Sequence, residues 1–202
     1  MAAEARTVND TLLWYTTRGA GAVTLVLLTG VVVLGLMTAL RFETDTWPRF
    51  VSAGLHRNLA LMSVIFLALH VVTAVVDPYA HLGWASVVIP FASSYRTLWL
   101  GLGTVAAELL MALIATSLLR RLLGHRSWRA VHWLAYVSWP VAFAHGLGTG
   151  TDSGSDWLLG LDVLCGGAVV VSVVGRLWVG PTDPLARARA LLRATTERPA
   201  QP

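Results

Sequence analysis

The amino-acid sequence predicts an all-α fold, a polytopic membrane bundle of five transmembrane helices, and three observations predict it. The first is composition: 55% of the 202 residues are hydrophobic and 13% are charged, against about 25% charged in an ordinary soluble domain. The second is a series of five apolar stretches, each near the roughly 20 residues that cross a hydrocarbon core. The third is the placement of the 15 basic residues, all of them arginine, at the ends of those stretches. They form no stripe along a polar helix, so the net charge of +4 is read as membrane topology, and no nucleic-acid partner is expected.

In chain order, residues 1–18 carry acids and polar groups and no cleavage site, and they form the expected N-terminal segment on the outer side. Gly19 to Leu40 contains no charge and is the first helix. Its Gly21, Gly30 and Gly35 are small enough to let a neighbouring backbone or a flat group come close. RFETDTWPRFVSAGLHR, 41–57, reads as a polar connection with Trp47 and Pro48 at the interface. The second helix, about 56–76, stops at Asp77-Pro78. The following stretch to Arg96 is apolar but too short to span, so it lies along the interface or folds back over the bundle. The third helix, 97–119, holds Glu108 near its midpoint, and an acid at that depth is expected to face the interior. RRLLGHRSWR is a basic connection, 130–146 is the fourth helix, and 157–178 is the fifth, with a tryptophan at each end. Residues 180–202 form a tail with two early prolines and four arginines. The bundle itself is 19–179.

Orientation follows from the arginines. Arg41, Arg49, Arg57, Arg120, Arg121, Arg126, Arg129, Arg176 and the four of the tail fall on one side of a five-helix topology, and Arg6, Arg18 and Arg96 on the other. The crowded side is the cytoplasmic one, which puts the N-terminus outside and the C-terminus in the cytoplasm of a multi-pass protein of the cell membrane.

Histidines interrupt two of the helices. His56 and His70 are fourteen residues apart, about 40° apart in direction and about 21 Å apart along a helix. His132 and His145 are thirteen apart on a helix that runs parallel to the first. His56 is then level with His132 near the inner face, and His70 with His145 near the outer face. A single zinc or copper ion cannot be shared across about 21 Å. Low-spin haem iron takes one nitrogen on each axial side, so the two level pairs suit two stacked haems. The sequence contains no CxxCH, so the haems would be of b type and non-covalent. On a straight helix His145 points about 140° away from His132, and Pro140 between them is the natural place for a kink. Trp139, seven residues after His132, points between the two levels. Arg57, Arg126 and Arg129 inside and Arg96 outside are placed to pair with haem propionates. His81 and His125 have no partner at matching spacing and read as loop residues, and Cys165 sits alone within an apolar run.

The segments HRNLALMSVIFLALH and HWLAYVSWPVAFAH, with their spacings of fourteen and thirteen, resemble the ferric reductase-like transmembrane domain. That domain is shared by ferric-chelate reductases, NADPH oxidases and the haem-binding membrane subunit of the bacterial methionine sulfoxide reductase system. The resemblance covers about Trp14 to Trp178. It implies haem ligation by His56 with His132 and by His70 with His145, and electron transfer from the cytoplasm outward. Full-length ferric reductases and NADPH oxidases have six helices and a cytoplasmic FAD and NAD(P)H module. Here about two dozen residues follow the fifth helix and carry no dinucleotide signature. The donor is therefore expected to be a separate flavoprotein or a quinol, and the acceptor a ferric chelate, oxygen or a redox protein. A membrane protein that binds haem without turnover is the alternative expectation.

Overall fold

The computed structural model of the chain describes residues 2–40, 47–79, 82–150 and 155–179, with side chains described between 11 and 178. Among them are seven helices and no strand: α1 Ala2–Ala39, α2 Arg49–Val76, α3 Ala85–Val88, α4 Thr97–Leu118, α5 Arg120–His132, α6 Ala135–Thr149 and α7 Asp156–Val179. Four of the helices are long and apolar enough to cross a membrane: α1 from Thr11, α2, α4 and α7 to Trp178. The chain is a multi-pass membrane protein. The expected fourth span, 130–146, is divided between the end of α5 and α6. The tail, the segment 41–46 and His81 lie outside the described residues.

Two helices begin earlier than the hydropathy suggests. No Gly or Pro lies between Ala2 and Arg18, so nothing ends the helix on its polar side, and α1 runs back to Ala2. α2 starts directly after Pro48, which sits extended at its N-cap, so the expected connection already contains the first two turns. Its far end is as expected. Asp77 is extended (φ −65°, ψ 118°), as the ring of Pro78 demands of the residue before it. Its carboxylate accepts the Tyr79 N–H at 2.9 Å.

The packing is inverted relative to a soluble protein. Hydroxyl residues such as Thr24, Thr29, Ser52, Ser63, Thr104 and Ser138 are buried, while Val163, Val171 and Leu177 of α7 are largely exposed. The inward hydroxyls are satisfied mostly by carbonyls one turn back, as in Ser63 to Leu59 at 2.8 Å and Thr24 to Ala20 at 2.7 Å, so they present small, dry surfaces to neighbouring helices. α1 and α2 form one antiparallel pair and α4 and α6 another, with α7 against α1. α2 and α6 have at most sparse contact with each other, which leaves a cleft between the two histidine-bearing helices. Its middle is closed by a core of Leu28, Leu110, Trp139 and Cys165 with Leu67, Ile114 and Phe143 around it.

The connection 82–95 folds back over α4. Thr104 donates to the Ser86 carbonyl at 2.8 Å, and the Phe91 ring occupies the place where a β-carbon at Gly101 would be. Glu108 shares the face of Gly101 and Thr104, but it lies one turn beyond the reach of the connection, and it is exposed instead of facing the interior.

Candidate functional site

Four histidines form two facing pairs across the cleft. The rings of His56 and His132 have centroids 6.2 Å apart at an interplanar angle of 65°. Those of His70 and His145 have centroids 6.2 Å apart at 81°. α2 brings His56 and His70 to one face because fourteen residues make almost four whole turns. The His145 side is less simple. The helix is broken at Trp133 and Leu134, where N–H groups bond three residues back, Leu134 to Val131, Tyr136 to Trp133 and Val137 to Leu134, at 2.9, 3.1 and 3.0 Å. A residue wound this way turns by about 120° where an α-helical one turns by about 100°, so each removes about 20° of the misfit between His132 and His145. Three such residues remove about 60° of the misfit, and the remainder falls at the break between α5 and α6, six residues before Pro140, which sits inside α6.

One local arrangement orients three of the four rings. Nδ1 of His70 donates to the Thr17 carbonyl at 2.8 Å, Nδ1 of His56 to that of Val31 at 2.9 Å, and Nδ1 of His145 to that of Trp99 at 2.8 Å. Four residues after each of these carbonyls stands a glycine: Gly21, Gly35 and Gly103. A β-carbon there would lie 3.0 Å from the His70 ring, 3.3 Å from the His56 ring and 2.5 Å from the His145 ring. The carbonyl already accepts a helical N–H, and the missing β-carbon gives the imidazole access to its second lone pair. A carbonyl only accepts, so Nδ1 carries the proton and Nε2 keeps a free lone pair toward the opposite histidine. Gly21 and Gly35 are fourteen apart, the spacing of His70 and His56, so one antiparallel register of α1 on α2 makes the same contact twice. His132 differs. Its Nδ1 is buried without a hydrogen-bond partner, and Trp128 stacks on its ring at 4.9 Å and 27°.

Trp139 is 7% exposed and lies in the core between the two pairs, donating to Thr29 Oγ1 at 3.0 Å and stacking on Phe143 at 5.0 Å. Trp139→Ala is expected to cost about 3–5 kcal/mol, the usual range for a buried aromatic, and Trp139→Phe about 1 kcal/mol, for the lost hydrogen bond. Thermal midpoints of the purified protein in detergent measure both. An unchanged midpoint for Trp139→Ala would remove Trp139 from the core.

The arginines are less uniform. Arg57, Arg126 and Arg129 are exposed on the side of the His56 pair. Arg96, expected beside the outer pair, donates instead to the Gly148 carbonyl at 2.6 Å and so ties the start of α4 to the end of α6. The arginine that lines the cavity beside His70 and His145 is Arg18, whose guanidinium also lies over Trp14 at 4.5 Å. That cavity, ≈ 310 Å³, is bounded by α1, α2, Tyr79, the connection 82–95, α4, α6 and α7, and both His70 and His145 reach it. His125 is exposed near Trp128. Among the described residues no three His, Cys, Asp or Glu side chains converge to hold a single ion. Gly103, the three carbonyls, Arg18 and Trp128 were not singled out from the sequence. The equal spacing of Gly21–Gly35 and His56–His70 was the one available signal for the first two cradles.

The family described as ferric reductase like transmembrane component matches residues 19–143, a range that includes His56, His70 and His132 and ends two residues before His145. No curated protein and no solved structure matches the chain.

Proposed function

The chain belongs to the ferric reductase-like transmembrane family, and from that membership and the two facing histidine pairs we propose that it is a membrane electron-transfer protein holding two b-type haems. The observation that carries the reading is the ring separation. With a metal–imidazole bond of about 2 Å and about 1.1 Å more to the ring centre, two imidazoles on opposite sides of one iron have centroids about 6.3 Å apart. Both pairs stand at 6.2 Å, with α2 and α6 held apart and three of the four Nε2 lone pairs left free by the Nδ1 bonds.

His56 and His132 are the ligands of the inner site, and His70 and His145 those of the outer. Bound haem supplies iron that changes oxidation state by one electron. The protein fixes the tautomer and direction of the ligands through Thr17, Val31 and Trp99, and it keeps water from the space between the sites with Leu28, Leu67, Trp139 and Phe143. The sites are about 21 Å apart along α2. Arg57 and Arg129 are the propionate partners on the inner side, and Arg18 takes the role first given to Arg96 on the outer side, because Arg96 is committed to Gly148. The bundle has five spans, α5 and α6 together supplying the fourth, with the C-terminus in the cytoplasm of the cell membrane. A separate flavoprotein or a quinol gives the electron, and an outer ferric chelate, oxygen or redox protein takes it.

The test is the spectrum of the purified protein before and after reduction. Two haems per chain with a reducible b-type spectrum is the expected result. Haem that no donor reduces would favour a binding role without turnover, and a colourless protein would sink both. For topology, a reporter active only in the cytoplasm and fused after Pro202 is expected to give signal. Signal from a periplasmic reporter instead would exchange the inner and outer labels.

A further inference from the structure

Asp162 of α7 is 8% exposed and faces the outer cavity, where it makes no hydrogen bond or ion pair with any described residue. The Thr17 hydroxyl, in the wall of the same cavity, is also buried without a partner. The other ionisable groups of the wall are already engaged or set apart. Asp77 caps its own turn through the Tyr79 N–H, Arg18 lies over Trp14, and His70 and His145 spend Nδ1 on carbonyls. Tyr79 and Tyr95 pair edge to face at 6.2 Å in the connection. α4 brings only uncharged residues to the wall. A carboxyl in such a place is costly to the fold and asks for a function.

Resting on the two-haem reading, we propose that Asp162 is the proton-binding group of the outer site: when that site gains one electron from the inner site, the Asp162 carboxylate gains one proton from the outer aqueous phase, and the net charge of the cavity is unchanged. The reason is electrostatic. An electron added in surroundings of low dielectric is expensive unless a positive charge arrives with it, and of the two carboxylates in the wall Asp162 is the one not already holding a backbone N–H. Asp162 is a positioning residue in this scheme, acting on the potential of the site without touching the ligands.

The experiment is a potentiometric titration of the purified full chain at several pH values around neutrality, followed through the haem spectrum. The outer component is assigned by its absence in His145→Ala. In the parent its midpoint potential is expected to fall as pH rises, toward the one-electron limit of about 59 mV for each tenfold change in proton concentration. In Asp162→Asn the slope should vanish, while haem content stays at the parental level and the inner component is unchanged. A flat outer potential in the parent overturns the proposal without need of any variant, and so does an equal slope in Asp162→Asn. Asp162→Glu, which restores a carboxyl, is expected to recover the slope and guards against a fold defect in the Asn variant. Protein with two haems and a pH-independent outer potential would sink this inference alone. Protein with no haem would sink the reading on which it rests.

Discussion

His70→Ala and His145→Ala are each expected to lower haem content from two per chain to about one, and the two variants should have the same residual spectrum. Each substitution removes one of the two axial nitrogens of the outer site. The inner site lies about 21 Å away along α2 and is ligated by other residues, so it should keep its haem. His56→Ala and His132→Ala should form a second matching pair that keeps the outer haem instead. Haem extraction and low-temperature spectra separate the two classes. His125→Ala should leave both haems in place, since His125 is exposed at the surface of α5. The same is expected of His81→Ala. Loss of a haem in His81→Ala with retention in His145→Ala would mean that the outer ligand comes from the connection after α2, and the pairing would have to be redrawn.

Gly103→Val should reproduce the loss seen in His145→Ala although it removes no ligand. Even a β-carbon at Gly103 would lie 2.5 Å from the His145 ring, so the ring or α4 has to move. Overpacking of this kind costs about 1–3 kcal/mol, and here the strain falls on the bond from Nδ1 to the Trp99 carbonyl. Gly21→Val is predicted to act on the outer site through His70 in the same way, and Gly35→Val on the inner site through His56. Gly30→Ala is the comparison, because its β-carbon would meet only the Leu59 Cδ1 at 3.1 Å, the far end of a side chain with room to turn. A graded result is expected, with Gly103 most sensitive and Gly30 least. Full haem content and an unshifted spectrum in Gly103→Val would dismiss the cradle as incidental packing.

Much of the architecture was legible along the chain. Apolar length marks the spans of α4 and α7 to within a residue at each end, because burial in lipid needs a fixed number of residues and leaves no freedom in composition. Depth is equally one-dimensional. Once the spans and their directions are read, His56 falls level with His132 and His70 with His145, and these are the rings that meet in the folded chain. The equal fourteen-residue spacings of the glycines on α1 and the histidines on α2 also stand in the sequence.

Direction around a helix is another matter, because it depends on what lies beside it. The about 140° misfit between His132 and His145 is met by the break between α5 and α6, where tighter winding at Trp133–Leu134 supplies about 60°, and periodicity at a constant 3.6 residues per turn contains no such break. Glu108 faces outward because the folded-back connection covers Gly101 and Thr104 and stops one turn short of it. Arg96 is drawn to the Gly148 carbonyl by the meeting of α4 with α6, and Arg18 lines the outer cavity because α1 continues as a helix past the end of its apolar run. Nothing in the local sequence marks Gly103, and Asp162 is marked only as Glu108 is, by being an acid within an apolar span; that Asp162 lines the cavity while Glu108 is exposed is decided by the neighbouring helices. Lipid selects for length and polarity, which are properties of one segment. The rings, carbonyls and carboxyl of the site are set by contacts between segments, and only the packed bundle decides those.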